Sequence, residues 1–242
     1  MNLVIDAGNT SIKIAVFKQN KLLFKHRFLH DDFLKEISEV FKKYPDIQRA
    51  VVSNVAAVPE KSVHALAVFC PVYTISSKTK IPFKNAYNTK ETLGTDRLAL
   101  ATAAFYTHSH KNVLVIGAGT CITYDIVDAS GTYLGGAISP GIRMRYKALH
   151  TFTANLPLLE TQSSKDFIGK STKGSIHSGV VNGVVKEIEG VIIDYKARFK
   201  DLTVILTGGD AVFLSKQLKN SIFANSNFLL EGLNYILEYN KQ

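Results

Sequence analysis

The chain states one phrase twice. Residues 4–17 read VIDAGNTSIKIAVF and residues 115–128 read VIGAGTCITYDIVD. Each is an apolar strand, an Ala-Gly turn bearing a hydroxyl, and a second run rich in β-branched residues. Self-similarity on this scale marks a duplication, so two related halves are expected, each opening on its own strand, turn and strand. The copies differ at the position best suited to carry chemistry. Asp6 in the first corresponds to Gly117 in the second.

Periodicity fills in both halves. NLVID, SIKIAVF and KLLFKHRF are short β-branched and aromatic runs divided by AGNT and KQNK, which predicts three strands joined by tight turns. Phe33, Ile37, Val40 and Phe41 then fall at helical spacing behind an Asp N-cap, and Pro45 closes the helix. IQRAVVSNV reads as a buried strand, PEKSVHALAVFC as a helix with Pro at its start, and PVYTI as another strand. The polar stretch from Lys78 to Thr95 is long for a plain connection and reads as a functional loop entering the helix DRLALATAAFYTHS. The strand pattern restarts with NVLVIG, CITYDIV and TYLGGAI. After it come a helix behind Pro140, a loop through IGKST and a long helix from about Ile176 to Phe199. The strand LTVILTGG, a helix near DAVFLSKQL and the helix EGLNYILEYN end the chain.

Three strands followed by alternating helices and strands, twice over, is an α/β chain. The boundary falls near residue 112, giving domains 1–112 and 113–242. Two such halves leave a cleft lined by both turns, where one ligand can be held by both.

The turns suit a nucleotide tail. Asp6 ends a strand and is followed by Gly8 and Thr10, which together offer backbone N–H donors, a hydroxyl and a carboxylate for Mg2+. Lys13 follows on the next strand, and alternation alone leaves its face open. Taken alone, the first turn is better explained as an ordinary Gly-Asn β-hairpin with a capping Asp. The second turn supplies Gly119 and Thr120, and TGGD at 207–210 ends a later strand on two glycines. Gly169, Lys170 and Ser171 imitate the end of a P-loop, but Ser164 stands where its first Gly belongs, so that reading fails.

Composition excludes several classes. Hydrophobic residues make up 46% and charged residues 20%, which is ordinary globular composition. The net charge of +9 comes mostly from scattered Lys, with no basic block interleaved with aromatics, so nucleic acid is not the expected partner. A basic surface suits small anionic substrates. Cys70 and Cys121 have no ligand-like spacing and read as buried thiols of a reducing compartment, the cytoplasm. No apolar run approaches the length that spans a bilayer, and no membrane partner is expected.

DAGNTSIK, LGTDR, GAGTCITYD, GGAISPG, IGKST and TGGD, in this order, resemble type III pantothenate kinase along nearly the whole chain. That family shares the superfamily of actin, sugar kinases and heat-shock ATPases. The resemblance implies two duplicated ribonuclease-H-like domains, each of mixed sheet plus helices, around a nucleotide cleft. It implies transfer of the ATP γ-phosphoryl to pantothenate, with Mg2+ and a monovalent cation, K+ or NH4+, as cofactors. On it Asp6, Ala7, Gly8, Asn9, Thr10, Ser11, Ile12 and Lys13 hold the phosphates, and Thr120 contacts ATP. Tyr87, Gly94, Thr95, Asp96, Arg97 and Thr172 hold pantothenate, with Asp96 the proton acceptor. The family forms homodimers, for which the helix around GVVNGVVKEIEGVIIDY is a candidate interface; its apolar stripe serves an intramolecular core equally well.

The residue types fit that chemistry, since phosphoryl transfer asks for positioning and charge stabilisation more than covalent help. A planar Arg97 suits a carboxylate in a way a Lys would not. From spacing alone, GTDR is equally a plain helix N-terminus. Two positions depart from the family's pattern. Its monovalent-cation Asp is replaced by Gly117, which has no side-chain oxygen to offer, and Asp125 is the nearest acid on the following strand. Lys90 stands where the family has Pro three residues after Tyr87, exchanging a stiff loop for a mobile charge. Gly117 opens the alternative of a catalytically weak or silent family member that acts as a nucleotide-binding accessory or regulatory protein. A sugar or acetate kinase would need a different acceptor loop.

Overall fold

The computed structural model describes the chain apart from residues 9–10, 54–59, 165 and 242 and the side chains of residues 60–61. In chain order the elements are β1 (Asn2–Ala7), β2 (Ile12–Lys18), β3 (Lys21–Phe28), α1 (Phe33–Lys43), β4 (Arg49–Ser53), α2 (Glu60–Phe69), β5 (Val72–Thr74), β6 (Lys84–Asn85) and α3 (Thr95–Thr107). There follow β7 (Val113–Ala118), β8 (Cys121–Val127), β9 (Thr132–Pro140), α4 (Ile142–Thr151), α5 (Thr172–His177) and α6 (Gly183–Arg198). The chain ends with β10 (Thr203–Thr207), α7 (Ala211–Ser215), β11 (Phe223–Ala224) and α8 (Phe228–Tyr239). Two compact units divide it: Met1–Ser109 with Asn227–Gln242, and His110–Ser226.

In the first unit the strand order is β3-β2-β1-β4-β5, with β1 to β3 antiparallel and β4 and β5 parallel to β1. In the second, β9-β8-β7-β10-β11 repeats that order and those directions. Even the irregularities correspond. The ladder slips between Val16 and Phe17 in β2 and between Ile126 and Val127 in β8. The duplication read from the two phrases is thus a duplicated topology.

Strand alternation builds two cores in the first unit. Leu3, Ile5, Ala7, Ile12, Ile14, Val16, Ala50 and Val52 pack with Phe33, Ile37, Val40 and Leu66 of α1 and α2. Val4, Ala15, Phe17 and Val51 point the other way and pack with Ala99 of α3 and Leu230, Leu233, Ile236 and Leu237 of α8. β1 is buried along its whole length on both faces of the sheet, which is why Leu3, Val4 and Ile5 are apolar in succession. Helices α3 and α8 approach closely because a Cβ on Gly232 would lie 1.9 Å from the Ala99 carbonyl oxygen.

Helix α8 therefore completes the first unit, where a division at residue 112 assigns it to the second. Its periodicity fixes an apolar face but not which sheet that face covers. In the second unit Leu114, Ile116, Ile122, Tyr124, Val204 and Leu206 pack with Ile142 of α4 and Val184, Ile188 and Ile192 of α6. The helix expected from about Ile176 begins earlier, at Thr172, and passes through a π-helical turn at Ser178–Asn182 before α6. Asp32 stands at the N-cap of α1, as expected, but its side chain makes no capping bond. Of the two thiols expected to be buried, Cys70 is buried and Cys121 only half-buried.

Candidate active site

Alternation also sets the chemistry of the first unit. Asp6 follows Val4 by two residues and shares its face, the face covered by α3. Register places Asp6 opposite Lys13 on one side and Ser53 on the other. Lys13 and Ser53 share the faces of Ala15 and Val51 in the same way, so the row Lys13, Asp6, Ser53 crosses three strands on one side of the sheet. The orientation of Lys13, open from the sequence, is settled by an ion pair of Nζ to Asp6 Oδ2 at 3.7 Å.

Helix α3 begins over this row. Ser53 Oγ and Thr95 Oγ1 lie 3.4 Å apart, and Asp96 is close enough for its charge to act on Asp6. Burial, opposed by Lys13 and reinforced by Asp96, raises the Asp6 carboxyl above its ordinary 3.8. A buried carboxylate beside a second one is a hard-oxygen site for a divalent cation, which would relieve both costs. Asp6 therefore fits the Mg2+ role.

The same helix start carries Arg97. It is only 4% exposed, and its guanidinium lies over the Tyr87 ring at 5.4 Å from the centroid. A cation in the first turn opposes the helix dipole, so helix stability does not explain it. Arg97 N–H donates to Asp96 Oδ1 at 2.9 Å, which aims one carboxylate oxygen. Gly94 is the N-cap, and a Cβ there would lie 2.5 Å from Asp96 Oδ1, so the small residue leaves room for that carboxylate. Tyr87 is placed by its own N–H donating to Asn85 Oδ1 at 2.9 Å.

The turn after β1 is held by groups that the sequence reading did not single out. Gly8 N–H donates to the Ser11 carbonyl at 3.1 Å. His30 Nε2 donates to the Gly8 carbonyl at 2.9 Å, and Arg27 Nε donates to Ser11 Oγ at 2.7 Å. Asn9 and Thr10 lie outside the described residues. Ala7 ends β1 and Ile12 begins β2, both with their side chains in the core rather than at the turn. Their contribution to a ligand is limited to backbone.

The second unit builds the corresponding turn. Gly119 N–H donates to the Cys121 carbonyl at 2.9 Å, the counterpart of the Gly8 bond. Two further glycine segments converge on it. Gly141 N–H donates to the Thr120 carbonyl at 3.1 Å, and a Cβ on Gly141 would lie 2.2 Å from the Gly119 carbonyl oxygen. Gly208, at φ 101°, would place a Cβ 2.1 Å from the Ala118 carbonyl oxygen, to which Asp210 N–H donates at 3.1 Å. GGAISPG and TGGD thus support the Thr120 turn by close backbone approach. Burial raises the Asp210 carboxyl above 3.8.

Gly117 occupies the register position of Asp6, opposite Thr123 and Thr207. Asp125 shares its face but stands opposite Val115, fully buried, accepting from the Tyr133 hydroxyl at 2.8 Å. Thr172 opens α5 behind Ser171, whose Oγ accepts from Gly174 N–H at 3.1 Å. It borders an 890 Å³ cleft with Arg145, Leu149, Phe152 and Ile176. Among the described residues no group of three or more His, Cys, Asp or Glu is placed to share a metal, and no helix is long and apolar enough to cross a membrane.

The structure thus brings Asp6, Lys13, Thr95 and Asp96 together, with Arg97 against Tyr87, within the first unit; Thr120, Gly117 and Thr172 belong to the second. Ser53, His30 and Arg27 escaped the sequence reading because each is an ordinary polar residue at a strand end or in a turn. Only register and a loop contact give them a role.

The chain is 53% identical over 241 residues to a type III pantothenate kinase of Christiangramia forsetii, covering 100% of this chain and 99% of that one. It is 42% identical over 243 residues to one of Bacteroides fragilis, at 99% and 98% coverage. Among solved structures it resembles a Campylobacter jejuni protein described as a Baf family transcriptional activator, with a TM-score of 0.62, 24% identity and 98% of each chain covered. It also resembles a glucokinase from an Antarctic psychrotroph, with a TM-score of 0.52, 14% identity and 99% of each chain covered. These likenesses show a shared fold. The family model of type III pantothenate kinase matches residues 2–194, and the chain belongs to that family.

Proposed function

We propose that this chain phosphorylates pantothenate to 4'-phosphopantothenate at the expense of ATP, the first step toward coenzyme A. The observation that carries the reading is the meeting of Asp6, Lys13 and Asp96 at one end of the first sheet, in a chain matched over its full length by type III pantothenate kinases. Two carboxylates of different surroundings, one beside a lysine and one at a helix start, divide the work. Asp6 would hold Mg2+, which would neutralise the charge developing on the transferred phosphoryl group. Lys13 and the turn from Gly8 to Ser11 position the phosphates. Asp96, aimed by Arg97 N–H, accepts the hydroxyl proton of pantothenate. Arg97, Tyr87, Gly94, Thr95 and Thr172 hold that substrate, with the guanidinium fork pairing its carboxylate. Thr120 contacts ATP.

Gly117 weakens or alters the use of K+ or NH4+, because it offers no side-chain oxygen and Asp125 is engaged by Tyr133. We assign the working form as a homodimer in the cytoplasm, following the family. Gly117 also favours a second reading, a relative that binds nucleotide without turnover.

The test is ATP-dependent phosphorylation of pantothenate with Mg2+, with Asp96→Asn alongside. Loss of about 10²-fold or more in Asp96→Asn supports a general-base role. Undiminished turnover in that variant overturns the assignment. No turnover in the parent chain, with ATP still bound, supports the second reading.

A further inference from the structure

A second cleft lies in the first unit. It has a volume of about 820 Å³ and is lined by Gln19, Asn20, Tyr73, Lys78, Lys80, Tyr106, Tyr235, Glu238, Tyr239 and Asn240. None of the residues assigned above to phosphate or pantothenate lines it. Its walls come from the β2–β3 turn, β5, the loop after it, the last turn of α3 and the end of α8. That volume falls in the range of small-molecule sites.

The lining has a definite chemistry. Four of its residues are tyrosines, two are lysines and three are amides, while Glu238 is the single acid. Glu238 is already engaged, accepting from Asn2 Nδ2 and from Lys241 Nζ. The surplus is of donors and positive charge. Tyr106 and Tyr235 stack at 4.8 Å between centroids and 29° between planes, and Tyr106 and Tyr239 stay 40% and 43% exposed. Burial, with Tyr239 nearby, raises the Tyr106 phenol above its ordinary value, so it remains a donor. Lys78 and Lys80 are exposed and supply compact charges of the kind that meets phosphate.

The cleft is held in shape by amides already hydrogen-bonded across its walls. Asn240 joins two walls: its Oδ1 accepts from the Tyr73 hydroxyl at 3.0 Å and its Nδ2 donates to the Lys80 carbonyl at 3.0 Å. Asn234, 1% exposed, donates to the Gln19 carbonyl at 3.0 Å, fixing a turn residue whose φ of 53° is left-handed. Asn2 Nδ2 donates to Asn234 Oδ1 at 2.8 Å and extends the support into β1. These bonds preorganise the walls before any ligand arrives.

We propose that this cleft is a second ligand site, for a small molecule combining a planar aromatic ring with a phosphate or carboxylate. The class includes nucleotides. The ring lies against Tyr106 and Tyr239, and the anion is met by Lys78 and Lys80. The tyrosine wall requires the ring and the lysines require the charge, so neither half of such a ligand suffices alone.

4-Nitrophenyl phosphate serves as the probe, with inorganic phosphate and 4-nitrophenol as its two halves. Binding is followed by ligand-observed NMR on the intact protein, and variants of residues that line this cleft and lie outside the kinase nucleotide site assign the signal to it. The complete probe is expected to bind at least about tenfold more tightly than either half. Lys78→Ala/Lys80→Ala, confined to exposed side chains, weakens it about tenfold. Tyr106→Leu, which keeps an apolar side chain at the end of α3, weakens it about fivefold. Equal affinity for inorganic phosphate, or unchanged binding in the lysine variant, overturns the proposal.

Discussion

His30 Nε2 lies 2.9 Å from the Gly8 carbonyl, tying the segment after β3 to the turn after β1. A carbonyl oxygen can only accept, so Nε2 carries the proton whether the ring is neutral or charged. Arg27 holds the other end of the same turn through Ser11 Oγ. We expect His30→Ala to raise the KM for ATP about fivefold, one net hydrogen bond's worth, while the KM for pantothenate stays put. His30→Gln restores part of the loss. Steady-state kinetics with each substrate varied checks this, and an equal rise in both KM values excludes a role confined to the turn.

Asp6 should destabilise the ligand-free fold. Its folded carboxyl is raised above 3.8, chiefly by burial, so the folded state binds the proton more tightly than the unfolded state does. The stability it contributes is full below 3.8 and is lost as pH rises through the folded value. The Lys13 ion pair returns little, because that side chain is 38% exposed. Asp6→Asn is therefore expected to melt about 2–4 °C higher than the parent at pH 7, with the gap closing below 3.8, while phosphoryl transfer falls. Thermal melts across that range decide it.

Glu187 has the opposite sign. Burial pushes its carboxyl up, but hydrogen bonds from Arg145, Tyr124 and Ser139 outweigh burial and hold it below 4.5. The Tyr124 hydroxyl donates to Oε1 at 2.8 Å, and Arg145 pairs with Oε2. This stability is present above 4.5 and is lost as pH falls through the folded value. Glu187→Gln should cost about 1.5–3 kcal/mol at pH 7 and progressively less in acid, read by urea unfolding at several pH values.

Gly232 is the seam between α3 and α8. An added Cβ would lie 1.9 Å from the Ala99 carbonyl oxygen and 2.6 Å from its carbon, both backbone atoms that cannot rotate away. Gly232→Ala is expected to cost about 3 kcal/mol despite its better helix propensity. Because α3 carries Asp96, kcat should fall as well. A variant of parental stability would show that the helices separate freely.

Gly117→Asp returns the family's carboxylate to β7. On the proposed cation role, turnover of this variant should respond to K+ at least about tenfold more strongly than the parent's. A response equal to the parent's rejects the link between Gly117 and cation use. Assays in Na+ and K+ buffers of equal ionic strength make the comparison.

Much of this protein was legible in its residues. The repeated phrase predicted two halves opening on strand, turn and strand, and both have the same strand order and the same ladder slip. The strands from β1 to β4 and the helix at Thr95 were readable because their apolar periods are long and their ends are marked by Gly, Pro or polar turns. Short pieces were not. β6 and β11, two residues each, carry too little pattern to separate from loop, and the π-helical turn at Ser178–Asn182 reads as ordinary helix.

The sequence by itself determined the duplication and the family, because these are local patterns of residue type in a fixed order. Tertiary structure decided which residues those patterns meet. Register placed Lys13 and Ser53 beside Asp6, and α3 set Asp96 over the same row. Packing took α8 into the first unit, since its apolar face fits against α3 only where Gly232 has no side chain. Periodicity specifies that a face is buried; only closure of the chain over a particular sheet specifies by what.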